Sequence, residues 1–314
     1  MPPKIVIICG PTATGKTKLG VALAKRCGGE VVSADSMQIY RHMAIGTARP
    51  SQEEMQGVPH HMLGVAEPWE NYSVARYVEE ASACVDDILA RGKRPFVVGG
   101  TGLYLDALRA GRTFSDFRPE SGHRARLRQR AAQGGLPDLW NDLRRIDPET
   151  AERLHPNDEK RVIRALEVWY ETGETISAHN RRTQAIPPRY EACTIALTYQ
   201  DRQALYARID RRVDQMMEQG LAEEVRALLA MGVPQDATAM QAIGYKELAD
   251  AVANHGDLRA AAEEIKLRSR QYAKRQLSWF RRDKEAHWIY LENDPDFSSV
   301  VQDSTDFLRR KGLP

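Results

Sequence analysis

One short segment constrains this chain more than any other: the glycine-rich sequence Gly10, Pro11, Thr12, Ala13, Thr14, Gly15, Lys16 and Thr17. It matches the pattern G-x-x-x-x-G-K-[ST], in which backbone N–H groups surround phosphate oxygens. The apolar run Lys4–Cys9 before it predicts a buried strand, and residues 17–25 after it have helical periodicity. This strand–loop–helix order predicts a phosphate site, in which Lys16 reaches the terminal phosphates and the Thr17 hydroxyl binds Mg²⁺.

Further strand and helix patterns alternate along the first third of the chain. Residues 30–33 and 95–99 are short apolar runs that predict buried strands, whereas residues 73–91 and 103–110 have helical periodicity. This alternation predicts an α/β fold, a P-loop NTPase-like parallel sheet flanked by helices. Because ligands bind at the carboxyl ends of such strands, the loops 10–17, 34–36 and 99–102 are expected to converge on one crevice.

The pattern changes between residues 111 and 189, where strand signals disappear and prolines separate short helical stretches. We interpret this region as a helical insertion domain. A strand pattern returns at 193–198, followed by a long helical pattern at 257–283 and a last strand pattern at 287–291. The predicted core domain therefore consists of residues 1–110 and 190–314, and the insertion of residues 111–189.

The net charge of +2 conceals a strong clustering of cations. Residues 266–284 carry eight Lys or Arg and one acid, and two further patches contain Arg118, Arg124, Arg126, Arg128 and Arg130, and Arg181, Arg182 and Arg189. Such clusters favour a polyanionic partner, although each one alone is also typical of a solvated helix face. The absence of an 18-residue apolar run predicts that the chain does not span a membrane, and the N-terminus has no signal-peptide pattern. The cysteines form no C-x-x-C pair, which is typical of reduced thiols in a cytoplasmic protein.

The second predicted strand ends next to an acid, Asp35. A carboxylate at this position is compatible with three roles: a ligand of Mg²⁺, a partner of a ribose, or a base toward an incoming nucleophile. The residues alone leave these roles open. They also leave open a phosphotransferase that consumes ATP, an enzyme that prenylates a free adenylate, and a non-catalytic RNA-binding protein with a vestigial loop.

Nine short motifs occur in order between residues 5 and 288. They are GPTATGKT (10–17), SADSMQIY (33–40), IGTARP (45–50), PHHML (59–63), VGGTGLY (98–104), HPND with RALE (155–158 and 164–167), RIDRR (208–212), QAIGYK (241–246) and KRQLSWFR (274–281). Together they make the chain resemble the tRNA dimethylallyltransferases, also called isopentenyl-pyrophosphate:tRNA transferases, in their compact bacterial form. The resemblance implies transfer of a dimethylallyl group from dimethylallyl pyrophosphate to N6 of the adenosine 3′ of the anticodon in tRNA.

The resemblance also implies residue roles. The phosphate loop then binds the pyrophosphate leaving group with Mg²⁺, Arg212 and Arg208 lie beside that group, Asp35 is the general base, and Thr101 lies at the reacting centre. The residues implied to contact the anticodon stem-loop of tRNA are Asp35, Ser36, Met37, Gln38, Thr101, Arg124, Lys160, Arg161, Arg164, Gln241, Gly244, Tyr245, Lys246, Lys274, Arg275, Gln276, Trp279 and Arg281. A monomer is the expected oligomeric state.

Overall fold

A computed structural model describes residues 2–111, 122–184, 186–254 and 256–313. The chain forms two compact units, one made of Met1–Gly111 with Arg189–Pro314 and the other of Arg112–Pro188. These limits lie one residue from the predicted domain limits. Arg118, part of a predicted basic patch, lies outside the described residues.

The first unit is built on a six-stranded sheet. Its strands are β1 (Lys4–Cys9), β2 (Glu30–Ser33), β3 (His60–His61), β4 (Pro95–Val98), β5 (Glu191–Tyr199) and β6 (His287–Leu291). Neighbouring strands pair in parallel in the order β3-β2-β4-β1-β5-β6. The predicted α/β fold is confirmed, and the strand that the sequence did not predict is β3, which has only two residues.

Helices account for most of the remaining described chain. In chain order they are α1 (Lys16–Arg26), α2 (Gln52–Met55), α3 (Val74–Ala90), α4 (Gly102–Ala110), α5 (His123–Arg130), α6 (Leu136–Ile146), α7 (Pro148–Arg153), α8 (Glu159–Thr172), α9 (Ile176–Gln184), α10 (Arg202–Glu218), α11 (Leu221–Ala230), α12 (Tyr245–Ala253), α13 (Leu258–Phe280) and α14 (Phe297–Arg310). Helices α5–α9 belong to the second unit. No helix in the described ranges is both long and apolar enough to cross a membrane.

The core of the first unit explains why its strands are continuously apolar. Five consecutive residues of β1, from Ile5 to Cys9, are buried, as are all four residues of β4. Helices cover both faces of a parallel sheet, so side chains that point to either face must be apolar. Leu19 and Leu23 of α1 pack into the same core as Leu197 of β5. This packing fixes the position of α1, and therefore of the loop that precedes it.

The second unit has a separate small core. Leu139 and Leu143 of α6 pack with Val162 and Leu166 of α8, and all four are buried. The buried Asp147 caps α7, since its Oδ1 accepts from the Thr150 N–H at 3.1 Å. The predicted helical character of this region is thus supported by its own apolar contacts.

Candidate active site

The glycine-rich loop connects β1 to the first turn of α1. Gly10 has φ of +137°, and a Cβ there would lie 2.2 Å from the Leu197 carbonyl oxygen, so only glycine fits. The Pro11 carbonyl accepts from the Thr14 hydroxyl at 2.9 Å and from Lys16 Nζ at 2.7 Å. The first N–H groups of a helix have no partner within the helix, and such groups are suited to binding an anion. The Gly10 conformation and these hydrogen bonds hold the phosphate loop in a curved form.

A cavity of about 340 Å³ lies beside this loop at the carboxyl edge of the sheet. Lys16, Thr17, Asp35 and Arg212 all line it. The cavity therefore lies between the ends of β1 and β2 and helix α10. The sequence predicted that the loops at these strand ends converge. A residue of the β4 end, Gly100, completes the lining on that side.

A larger groove of about 820 Å³ shares Lys16, Thr17 and Arg212 with the cavity. Further cations line this groove, namely Lys18, Arg49, Arg208 and Arg211, with Glu53 and Glu54 as its acids. The excess of positive charge suits a polyanionic group. Arg208, predicted to lie at the pyrophosphate, is exposed in this groove, and its guanidinium lies 5.4 Å from the centre of the Tyr199 ring.

The cavity places two cations close together. Burial lowers the pKa of Lys16 to about 8, the Arg212 charge acts in the same direction, and the Asp35 carboxylate opposes both. Burial also lowers the pKa of Arg212. The hydrogen-bond acceptors of these two side chains in the described residues are uncharged: the Pro11 carbonyl for Lys16 and the Thr12 hydroxyl, at 3.4 Å, for Arg212. An anion in the cavity would therefore stabilise both cations.

A turn after β2 fixes the orientation of Asp35. Its Oδ1 accepts from the Met37 N–H at 2.9 Å and from the Gln38 N–H at 3.4 Å, which is the geometry of an Asx-turn. The Thr101 hydroxyl accepts from the Ser36 N–H at 3.0 Å. Thr101 thereby joins the β4 loop to the loop that carries Asp35, so the two predicted catalytic residues lie in connected segments.

Gln38 has a supporting position in this part of the site. Its Oε1 accepts from the Ser33 hydroxyl at 3.0 Å, and its Nε2 donates to the carbonyls of Thr47 and Ala48, both at 3.2 Å. Thr47 and Ala48 line the cavity. The amide predicted to contact tRNA is thus already engaged in holding the wall of the cavity.

Apolar side chains form a further wall that the sequence analysis missed. Ile209, Val213 and Met216 of α10 line the cavity together with Leu221 of α11 and Ile243. The α10 sequence contains four arginines, and the sequence analysis considered only the arginines of this helix. The spacing of 209, 213 and 216 is the helical i, i+4, i+7 pattern, which is the signal that could have revealed this wall.

Helix α13 presents several of the predicted tRNA-binding residues. Lys274 and Arg275 are exposed on it, and Arg281 is exposed directly after its last residue. Trp279 is half-buried, and its Nε1 donates to Asp106 Oδ2 at 3.0 Å. Arg282 covers the Trp279 ring at 3.8 Å from the ring centre, so that face is already stacked.

Two predicted tRNA-binding residues point into the protein instead. Tyr245 has no exposed surface, and its hydroxyl donates to Glu224 Oε1 at 2.6 Å. Gln276 is 5% exposed and is hydrogen-bonded on both sides of its amide. A direct contact of these two side chains with tRNA is therefore not supported, because packing and internal hydrogen bonds already occupy them.

The neighbours of Tyr245 lie closer to the surface. Gln241 is exposed at the cavity, where its Nε2 donates to the Gln235 carbonyl at 2.8 Å, and Lys246 is exposed. Gly244 is buried with φ of +97°, and its N–H donates to Glu247 Oε2 at 2.8 Å. The motif 241–246 therefore combines two outward side chains with a buried turn.

The second unit carries the remaining predicted tRNA-binding residues. Lys160 and Arg161 are exposed in the first turn of α8. Arg124 Nε and Arg164 NH1 lie 2.8 and 2.9 Å from the two carboxylate oxygens of Glu167, whose side chain is fully buried. Glu167 therefore holds two half-exposed arginines next to each other on the surface of this unit.

The fold and the site together define an α/β protein of the P-loop-like class, in which a cationic phosphate loop lies beside an apolar wall and a carboxylate. The family model described as IPP transferase matches residues 38–283, and the one described as isopentenyl transferase matches residues 3–64. These matches cover the phosphate loop, the Asp35 loop and α13.

Known proteins agree with the family models. The tRNA dimethylallyltransferase of Geobacillus thermodenitrificans is 47% identical over 99% of this chain and 98% of its own length, and that of Caldanaerobacter subterraneus is 44% identical over 98% of both. The crystal structure of the tRNA isopentenylpyrophosphate transferase from Bacillus halodurans is 42% identical, covers 98% of this chain and 96% of its own, and superimposes with a TM-score of 0.73. A eukaryotic dimethylallyltransferase acting on tRNA is 30% identical, covers 98% of this chain and 80% of its own, and gives a TM-score of 0.79. The chain belongs to the tRNA dimethylallyltransferase family, which confirms the resemblance drawn from the nine motifs.

Proposed function

We propose that this chain transfers the dimethylallyl group of dimethylallyl diphosphate to N6 of the adenosine 3′ of the anticodon in tRNA, and releases diphosphate. The observation that carries the proposal is the composition of the 340 Å³ cavity. It joins a cationic phosphate loop to an apolar wall and to a carboxylate. An allylic diphosphate uses both, since its diphosphate group suits the loop and its hydrocarbon group suits the apolar wall.

The phosphate loop supports departure of the leaving group. As the C–O bond breaks, its electron pair goes to the diphosphate oxygen, and the negative charge there increases. Lys16, Arg212 and the N–H groups at the start of α1 are positive groups fixed in advance beside this oxygen. This arrangement lowers the barrier because no reorganisation of the site is needed during the reaction.

Magnesium fits the donor set of the site. In the described part of the chain, no group of three or more His, Cys, Asp or Glu side chains is placed to hold a metal. A hydroxyl with diphosphate oxygens and water is the ligand set that Mg²⁺ accepts in phosphate sites, so Thr17 would hold the ion together with the substrate. When bound, the ion neutralises charge on the leaving group.

Asp35 is the general base in this proposal. The adenine amine is weakly nucleophilic, since its lone pair is delocalised into the ring, and it becomes acidic as the new N–C bond forms. The Asp35 carboxylate, oriented by the Met37 and Gln38 N–H groups, accepts that proton. Thr101 supports this geometry through its bond to the Ser36 N–H. The target base must leave the anticodon-loop stack to reach the cavity.

The exposed cations provide the tRNA surface in this proposal. Lys274 and Arg275 of α13, and Lys160 and Arg161 of α8, are available to phosphates of the RNA backbone. Such contacts are electrostatic and give affinity without base specificity. We further propose that the enzyme acts as a cytoplasmic monomer. Light scattering on the purified protein, alone and with tRNA, tests the oligomeric state.

The test uses radiolabelled dimethylallyl diphosphate, Mg²⁺ and the purified protein. Separate reactions contain an unmodified tRNA with adenosine 3′ of the anticodon, the same tRNA with guanosine there, or AMP. Label in the first tRNA alone supports the proposal. Label in AMP alone assigns the chain to the enzymes that prenylate free adenylate. No label in any reaction refutes the transfer and makes ATP the next donor to test.

A further inference from the structure

Helix α13 has an exposed face and a buried face, and residues 274 and 276 lie on different faces. Lys274 and Arg275 are exposed, whereas Gln276 is 5% exposed and lines the cavity, whose edge Arg275 also reaches. Side chains two residues apart lie on different sides of a helix, so one helix can present cations to RNA and an amide to the interior. The inward amide belongs to the family motif at 274–281 but does not lie on the RNA-facing surface.

The Gln276 amide joins two loops of the active site. Its Oε1 accepts from the Thr12 N–H of the phosphate loop at 3.0 Å. Its Nε2 donates to the Gly100 carbonyl of the β4 loop at 2.9 Å. One buried amide therefore uses its donor and its acceptor on different loops, and each bond has ordinary length.

Gly100 shows how closely the amide is seated. A Cβ at this position would lie 2.3 Å from Gln276 Nε2, and the next atom it would meet, Gln276 Cδ, is at 3.5 Å. The backbone of the β4 loop can approach the amide because residue 100 has no side chain.

We propose that Gln276 is a positioning residue for the transfer reaction, which fixes the phosphate loop at a set distance from the loop of Thr101. This inference rests on the function proposed above. On one side, the Thr12 hydroxyl accepts a hydrogen bond from Arg212. The Gln276 amide therefore holds the part of the phosphate loop that is proposed to contact the leaving group. On the other side Gly100 is adjacent to Thr101, which holds the Asp35 loop through Ser36.

The geometry explains why such a connection is useful. The leaving group and the general base must be held at a fixed separation for a single displacement, and small displacements of either group reduce the rate strongly. Backbone hydrogen bonds join the β4 loop to the Asp35 loop, where the Thr101 N–H donates to the Ala34 carbonyl at 3.1 Å, and they join β4 to β1 where the Gly99 N–H donates to the Ile8 carbonyl at 3.1 Å. Gln276 adds a side-chain contact between the β4 loop and the phosphate loop from outside the sheet.

The first test compares Gln276→Met with Gln271→Met. Methionine keeps the length and most of the volume of glutamine but makes neither hydrogen bond, and Gln271 is an exposed residue of the same helix. We expect Gln276→Met to raise KM for dimethylallyl diphosphate about tenfold and to lower kcat, the effect of losing two buried hydrogen bonds, while Kd for tRNA stays within about twofold. We expect Gln271→Met to leave KM for the diphosphate unchanged.

Weaker tRNA binding by Gln276→Met with an unchanged KM for the diphosphate would overturn the proposal, because it would assign the residue to RNA contact. Equal losses of both affinities, or no change in either, would also overturn it. Transfer by the wild-type protein is measured in the same assay, so a failure of the proposed function is seen separately as an inactive wild type.

A second variant approaches the same contact from the other side. In Gly100→Ala the new methyl group meets the end of the flexible Gln276 side chain rather than backbone, so the fold should accept it. We expect this variant to displace the amide and to raise KM for the diphosphate as Gln276→Met does. In a Gln276→Ala background, where the shorter side chain leaves room for the methyl group, Gly100→Ala should cause no further loss, since both changes remove one contact. Full additivity of the two effects would refute the shared mechanism.

Discussion

Glu224 gives the sharpest test of how the cavity wall is held. Its Oε2 accepts from the N–H groups of Ala44 and Ile45 at 2.8 and 2.9 Å. Its Oε1 accepts from the Gly46 N–H at 3.2 Å and from the Tyr245 hydroxyl at 2.6 Å. One carboxylate therefore satisfies four donors, and it fixes the segment that continues into the cavity wall at residues 46–48.

Glu224→Gln changes this arrangement without changing its shape. A carboxamide has one acceptor oxygen, so its NH₂ group must face two of the four donors. A hydrogen bond to a charged group contributes about 1.5–3 kcal/mol, and rotation of the Tyr245 hydroxyl into an accepting position recovers part of the loss. We therefore expect the free energy of unfolding to fall by about 3 kcal/mol. For a unit of this size the melting temperature should fall by about 6–12 °C.

The matched control is the neighbouring Glu223→Gln. The Glu223 side chain is 67% exposed and pairs only with Arg226 across one helical turn in the described residues, an interaction worth at most about 0.5 kcal/mol. Thermal unfolding is measured for both variants and for Tyr245→Phe, which removes one of the four donors alone. KM for dimethylallyl diphosphate should rise for Glu224→Gln and not for Glu223→Gln. Equal melting temperatures for the two glutamine variants would refute the reasoning.

The other predictions concern catalysis and RNA binding. Asp35→Asn should lower kcat by about 10²–10⁴ while tRNA affinity in a filter-binding assay is retained, and an unchanged kcat would exclude Asp35 as the base. Because the pKa of Lys16 is lowered to about 8, the ammonium loses its proton above that pH, and kcat/KM for the diphosphate should fall about tenfold per pH unit there. A profile that is flat up to about pH 10 would contradict this assignment. Lys160→Ala and Arg161→Ala should each reduce the slope of log Kd for tRNA against log salt by about one, and an unchanged slope would remove that residue from the interface.

Much of the fold could be predicted from the sequence because its central strands are buried on both faces. Such strands appear as uninterrupted apolar runs, as in Lys4–Cys9 and Pro95–Val98, which no exposed strand would tolerate. β3 could not be predicted, since two residues, His60 and His61, carry no periodicity, and their position depends on pairing with β2 and on contacts such as His61 Nε2 with Glu30 Oε2 at 2.8 Å. The limits of the long helices differed by one to three residues from those predicted, because capping by residues such as Asp257 decides where a helix begins.

The residues that line the site could be predicted, but the orientations of their side chains could not. The phosphate loop is local in sequence, so one motif identifies its residues, and the roles assigned to them stay predictions. A motif does not show which way a side chain points, and Tyr245 and Gln276 illustrate this. Helical spacing held the missing information for Gln276, since it lies three residues after the buried Ala273 and four before the buried Phe280. Buried residues at that spacing predict that the Gln276 amide points inward. Such an amide needs hydrogen-bond partners inside the protein, and here Thr12 and Gly100 provide them.

The same reasoning explains why one helix carries both the RNA-facing cations and Gln276. An inward polar group needs partners placed within a few tenths of an ångström, and a long helix packed on α10 and α12 keeps its residues at fixed separations. The rise of about 1.5 Å per residue places Gln276 only about 3 Å along the axis from Lys274. One helix therefore sets both the position of the cations proposed to bind RNA and the position of the amide that joins Thr12 to Gly100.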